Sequence, residues 1–325
     1  MKTMNVLRWI LTGLLLAALA LTLAGPAVAE EPAAPALPLD FTRGGTAPKE
    51  DNWVFDSDKT PIAYEDSTIR MSVEKGSVTL TVKGKKVKHE TFVVRIKIGD
   101  VSQLRTAVSK DTYKGRGQAS ADSIAKSKNA VVAMNGDFFK YENDVGYVVR
   151  QGEFIRDATD NKRKRLFDML LIDSEGDFHV VPSATTKTIR TFVDEELTPR
   201  GRTVLDTFNL GPVLVLDGEP QDIAASEAAK QGSYQWKYPQ QRICLVQTGP
   251  LEYAIVEVYG KTDSSAGMTL EQFAEFVAEQ CPDARVAYNL DGGGSTNLII
   301  HNSRACKTPG RREITDIIYF ASAEE

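Results

Sequence analysis

Val286-Ala287-Tyr288-Asn289-Leu290-Asp291-Gly292-Gly293-Gly294-Ser295-Thr296-Asn297-Leu298-Ile299-Ile300 is the stretch from which this chain of 325 residues is best read. An apolar run, Val286 to Leu290, leads in and reads as a strand; Leu298 to Ile300 leads out as another. Between them lie three consecutive glycines, each weakening a regular element by roughly 0.5–1 kcal/mol relative to alanine. In return they allow positive φ and let backbone N–H groups approach a ligand. An ordinary hairpin turn needs one or two glycines, not three. Asp291 stands before them and Ser295, Thr296 and Asn297 follow. An acid, exposed backbone donors and small polar side chains at a strand end suit a sugar, a phosphate, or both.

Outward on the N-terminal side, Leu270 to Gln280 predicts a helix. Thr269 and Gln272 form a capping box, Leu270, Phe273, Val277 and Cys281, with Ala274 and Ala278, make an apolar face, and Pro282 ends it. Cys281 and Cys306 flank the glycine stretch, and a disulfide across it would stabilise by roughly 3 kcal/mol. Cys244 reads as a buried thiol. Strands are predicted at 166–172, 178–181, 213–216, 242–247 and 254–259. Ala130 to Met134 is continuously apolar, as in a strand covered on both faces, and ends in Asn135-Gly136-Asp137. Before it come a helix over 119–127, with Ile124 inward, and strands at 69–73, 78–82 and 92–98, with a turn at Gly84. The whole predicts an α+β, strand-rich single domain with mixed sheets and a few packed helices.

The first residues read differently. Lys2 and Arg8 precede an apolar run to Ala24, Gly25-Pro26 breaks it, and Ala27-Val28-Ala29 is a small-residue cleavage pattern. Residues 1–29 are expected to be a signal peptide, touching the membrane only through that segment if it stays uncleaved. Residues 30–50, rich in Pro, Ala and Gly, are expected to be a flexible tether, and the domain to run over 51–325. Loss of Lys2 and Arg8 makes the remainder two units more negative than the −5 of the whole chain, which argues against nucleic acid as partner. The predicted location is secreted or cell-envelope associated.

Two apolar strands therefore end in acid and glycine. If the ends coincide, Asp291 and Asp137 face each other as the paired carboxyls that glycosidic cleavage needs. Arg242 opens a strand after Tyr238-Pro239-Gln240-Gln241; Arg311 and Arg312 follow Thr308-Pro309-Gly310. Guanidinium groups bind phosphate as a planar fork. No Gly-x-Ser-x-Gly elbow and no His-x-x-x-His spacing occurs, which argues against a Ser-His-Asp hydrolase and a zinc site. No cofactor is expected, and an oxygen-ligand site for a divalent cation such as calcium is left open.

In order, Asn135-Gly136-Asp137-Phe138-Phe139, Gly211-Pro212-Val213-Leu214-Val215 with Asp217-Gly218, Arg242, Gly267-Met268-Thr269-Leu270, Asn289-Leu290-Asp291-Gly292-Gly293-Gly294-Ser295, and Arg311 or Arg312 resemble the phosphodiester glycosidase domain family over residues 68–321. The resemblance implies hydrolysis of a sugar-1-phosphodiester at the anomeric carbon. Two segments depart from its pattern: Ile243-Cys244-Leu245 after Arg242, and Tyr259-Gly260, which lacks an acid before the glycine. The expected roles are Asp291 as main catalytic carboxylate with Asp137 as partner, and Arg242 with Arg311 or Arg312 on phosphate. Backbone N–H groups of Gly292 to Ser295 would face developing negative charge. Asn135, Gly136, Asn289 and Thr296 complete the expected binding surface. The expected substrate is a sugar-phosphodiester in a cell-wall polymer, exopolysaccharide or other extracellular glycan. A non-catalytic cell-wall glycan-binding protein is the alternative.

Overall fold

The structure, a computed structural model, describes residues 34–82, 84–114, 117–137, 146–158, 168–209, 211–230, 236–260, 267–306 and 312–325. The expected signal peptide and Arg311 lie outside them. In chain order the first strands are β1 (Trp53–Phe55), β2 (Pro61–Glu65), β3 (Ile69–Val82), β4 (Lys85–Ile98) and β5 (Leu104–Val108). Then come α1 (Ala121–Ser127), β6 (Ala130–Asn135), β7 (Gly146–Arg150), β8 (Glu153–Ala158), β9 (Met169–Asp173) and β10 (Phe178–Val181). Next are α2 (Thr186–Phe192), β11 (Val204–Phe208), β12 (Val213–Leu216), β13 (Glu219–Pro220) and α3 (Glu227–Lys230). The last are β14 (Arg242–Gly249), β15 (Glu252–Val258), α4 (Leu270–Gln280), β16 (Val286–Asn289), β17 (Leu298–Ile300), β18 (Ser303–Arg304) and β19 (Asp316–Ala321).

A nine-stranded sheet, in the order β1-β2-β3-β4-β15-β14-β16-β12-β13, faces a five-stranded sheet ordered β18-β17-β6-β19-β5 and a three-stranded sheet ordered β10-β9-β11. Period-two alternation sorts their side chains into layers. Val94, Ile96, Ile243, Leu245 and Tyr288 pack between the sheets against Met134, Leu298, Ile318, Phe320, Leu170 and Phe208. On the far face of the large sheet, Cys244, Val246, Val256 and Ala287 meet Leu270, Phe273 and Val277 of α4. On the far face of the five-stranded sheet, Ala133, Ile299, Ile317 and Tyr319 meet Ala121 and Ile124 of α1. The fold is α+β and strand-rich. Both faces of β6 are covered, as its apolar run predicts, yet its neighbours β17 and β19 are antiparallel. Every strand pairing among the described residues is antiparallel, where mixed sheets are expected from sequence.

Three further expectations are corrected. The strands at 69–73 and 78–82 are one strand, because Gly76 stays paired with Thr91 and the turn waits for Gly84 at φ +74°. Residues 34–50 do not hang free. Arg105, 1% exposed, donates from Nη2 to the carbonyls of Pro38 (2.9 Å) and Asp40 (3.2 Å), Lys128 Nζ donates to Thr42 O (2.7 Å), and Thr46 bridges Ser322. None of the three cysteines is in a disulfide. Cys281 packs against α4's side of the large sheet and Cys306 against the inter-sheet core, so the sheet separates the pair.

Candidate active site

The glycine stretch carries the chain from one sheet to the other. β16 belongs to the large sheet, β17 to the five-stranded one, and residues 290–297 cross the gap. Leu290 N–H donates to Ile243 O and Gly293 N–H to Gln241 O, which fixes the near end. Gly293 sits at φ +58°, a backbone region that favours glycine. On the far side Asn135 is the clasp. Its Nδ2 donates to Asp291 O at 2.8 Å and its Oδ1 accepts from Asn297 N–H at 3.0 Å. The ends of β6 and β16 thus coincide, as the two acid-and-glycine endings suggest.

A cleft of about 390 Å³ opens there, lined by Asn135, Gly136, Asp291, Ser295, Arg312 and Asp316 among others. Burial pushes the Asp291 carboxyl up to about 6; the Ser295 hydroxyl, the Arg312 charge and the Gly292 N–H oppose the shift, and the Asp137 charge adds to it. Arg312 Nη1 donates to Ser295 Oγ at 3.3 Å, and Arg312 N–H donates to Gly294 O at 3.2 Å. Guanidinium, hydroxyl and carboxyl thus run in series along one wall. Such a wall can present a charged fork to an anion beside a carboxyl of near-neutral affinity for protons.

The other expected residues fall elsewhere. Asp137, 4% exposed, is turned away: its Oδ1 accepts from Arg150 Nη2 at 2.8 Å and its Oδ2 from Asn209 N–H at 2.9 Å. Asp316 occupies the wall where Asp137 is expected. Arg242 is 4% exposed and donates from Nε to Met268 O (3.1 Å) and from Nη2 to Tyr238 O (2.9 Å). Burial lowers it to about 10, with the Asp291 charge opposing. It ties the segment before β14 to the start of α4 and is not among the groups lining the cleft. Three of the four expected amide donors are engaged: Gly292 N–H meets the Asp291 carboxylate, Gly293 N–H meets Gln241 O and Ser295 N–H meets Gly292 O. These bonds set the shape of the turn. Asn289 donates to Gly211 O at 2.8 Å, inside the fold, and Thr296 is 6% exposed. Among the described residues no three His, Cys, Asp or Glu gather to hold a metal ion.

Asp316 escapes a search of strand ends because it begins its strand. Antiparallel pairing of β19 with β6 sets Ile317 beside Asn135, so a strand start shares the edge with a strand end. The signal was present in Thr315-Asp316 ahead of the apolar Ile317-Ile318-Tyr319-Phe320.

The sequence matches the family described as phosphodiester glycosidase over residues 128–321. No curated protein sequence matches the chain. Among solved structures, the fold is similar to the catalytic domain of zebrafish N-acetylglucosamine-1-phosphodiester alpha-N-acetylglucosaminidase, auto-inhibited by its pro-peptide. The TM-score is 0.60 and the identity 16%, over 83% of this chain and 87% of the other. A protein of Burkholderia pseudomallei also matches, with a TM-score of 0.46 and 13% identity over 74% of this chain and 76% of the other.

Proposed function

The chain belongs to the phosphodiester glycosidase family, and on that premise we propose that it hydrolyses a sugar-1-phosphodiester at the anomeric carbon. One observation carries this reading: Asp291 and Arg312 meet through the Ser295 hydroxyl on a single cleft wall. A phosphodiester offers an anion for the guanidinium beside an electrophilic carbon for the carboxyl. A volume of about 390 Å³ lies within the range of small-molecule sites. Asp291 acts at C1, and Arg312 holds phosphate.

The substrate belongs to a cell-wall or extracellular glycan, reached by export through the leader of residues 1–29. No helix among the described residues is long and apolar enough to cross a membrane. The experiment is a panel of N-acetylglucosamine-1-phosphodiesters, other sugar-1-phosphodiesters and nucleotide sugars, assayed for free sugar. Turnover of at least one phosphodiester is expected. Arg312→Lys keeps the charge but loses the fork, so KM should rise with less change in kcat. No release of sugar from any member would reject the proposal.

A further inference from the structure

Behind the cleft lies a charge arrangement that the reading above does not use. Arg150, fully buried at the end of β7, places Nη2 2.8 Å from Asp137 Oδ1 and 3.3 Å from Asp316 Oδ2. Its Nη1 donates to Val149 O at 3.0 Å and also to Thr207 O, and its Cζ lies 4.6 Å from the centre of the Phe208 ring. The guanidinium is therefore fixed. Asp206, also buried, faces it from β11, with its own Oδ1 accepting from Thr106 Oγ1 (2.8 Å) and Gln151 N–H (3.1 Å). Among the described residues Tyr113 also senses Arg150 and Asp316. Arg150 thus serves both Asp137 and Asp316, and with Arg105 it also acts on Asp206. Buried charge without full compensation is costly, and the cheapest relief is a proton on one of the acids.

Geometry selects which one. Asp137 has the closer contact with Arg150 and a second donor in Asn209 N–H, so both of its carboxyl oxygens are engaged. Asp316 has the longer contact with Arg150, the Thr315 hydroxyl at 3.0 Å from Oδ1, and Asp137's charge as neighbour. Asp316 also lines the cleft, lying directly over Gly136, where a Cβ would overlap its carboxyl. Asp291, on the same cleft, has Arg312, Ser295 and Gly292 supporting its anion. Burial raises both cleft carboxyls, each to about 6; what separates them is that Asp316 shares its cation with Asp137, while Asp291 faces Arg312, the Ser295 hydroxyl and the Gly292 N–H.

We propose, resting on the phosphodiester reading, that Asp316 is the proton donor to the departing phosphate and that Asp137 is a positioning residue that keeps it protonated, by its own charge and by drawing Arg150 to itself. Written for direct attack by water, ionised Asp291 takes a proton from the water whose oxygen bonds to C1. The bond from C1 to the phosphate oxygen breaks, its electron pair leaves with that oxygen, and the oxygen receives the proton of Asp316. The products are free sugar and a phosphate monoester. Asp291 is left protonated and Asp316 ionised, and exchange with solvent restores both.

The test compares wild type, Asp316→Asn and Asp137→Asn on N-acetylglucosamine-1-(methyl phosphate) from pH 4 to 9, with melting temperature as the folding control. Wild type should give a bell-shaped profile whose alkaline limb is the loss of the Asp316 proton. Asp316→Asn should lose that limb and fall by about 10²–10⁴-fold at the optimum. In Asp137→Asn a negative neighbour is gone and the contact of Arg150 Nη2 with Asp316 no longer competes with an Asp137 carboxylate. The proton is then held less tightly, and the alkaline limb should move to lower pH by about one unit. If Asp316→Asn does not fold, the limb in Asp137→Asn decides alone. An unmoved limb there, or a folded Asp316→Asn that keeps its limb, would overturn the proposal while leaving the family reaction standing. A wild type inactive on every phosphodiester would overturn both.

Discussion

Asp291 is held in a place that suits chemistry better than stability. Its free carboxyl ionises near 3.8, and burial in the cleft wall raises that to about 6. The folded state thus binds the Asp291 proton more tightly than the unfolded chain does. This contribution is fully present below pH 3.8 and is lost as pH rises through about 6. Asn at 291 carries no charge at any pH. At pH 8 Asp291→Asn should therefore be more stable than wild type, by on the order of 1–2 kcal/mol after allowing for solvent at the cleft. At pH 4 the difference should vanish. Chemical denaturation at both pH values reads it, and equal effects at the two would refute the assignment. Gly136 poses the opposite case. A Cβ there overlaps Asp316, so Gly136→Ala should cost about 1–3 kcal/mol and depress turnover together, measured by denaturant midpoint and kcat.

At the scale of elements, the sequence was legible where the pattern was strong. The strands at 178–181, 213–216 and 298–300 and the helix at 270–280 fall at the expected residues, because apolar runs and a capping box mark their ends. The joining of two predicted strands into β3 was not legible, since the exposed Glu74-Lys75-Gly76-Ser77 looks like a break until its long partner β4 is known. In the site, the coincidence of the Asn135 and Asp291 segments was readable; the turning of Asp137 toward Arg150 was not, because β7 shows no chemical pattern of its own. The segment at 34–50 looked like a tether from composition, but Arg105 is a hidden anchor whose partners are backbone carbonyls. Arg105→Ala would leave buried acceptors unpaired, each costing about 1–3 kcal/mol. Brief proteolysis should then release a fragment N-terminal to residue 50 that wild type retains; equal protection in both would contradict the anchor. With a whole sheet between Cys281 and Cys306, thiol counting on unfolded, unreduced protein should find three groups rather than one.

At the scale of the molecule, two packed sheets joined by a glycine crossing place one acid from each side of the gap on one cleft. Asp291 comes from the large sheet's last turn and Asp316 from the start of β19 in the facing sheet. The crossing itself must be thin, which is what three glycines provide, and a strand-ended acid on each sheet then needs no loop of its own to reach the substrate. The central claim is that water attacks carbon and not phosphorus. The most direct measurement is hydrolysis of N-acetylglucosamine-1-(methyl phosphate) in ¹⁸O-water, with mass spectrometry of the released methyl phosphate, whose oxygens do not exchange with solvent during the assay. Cleavage between C1 and oxygen leaves the methyl phosphate unlabelled, and this is the predicted result. One ¹⁸O in the methyl phosphate would mean cleavage at phosphorus and would contradict the account.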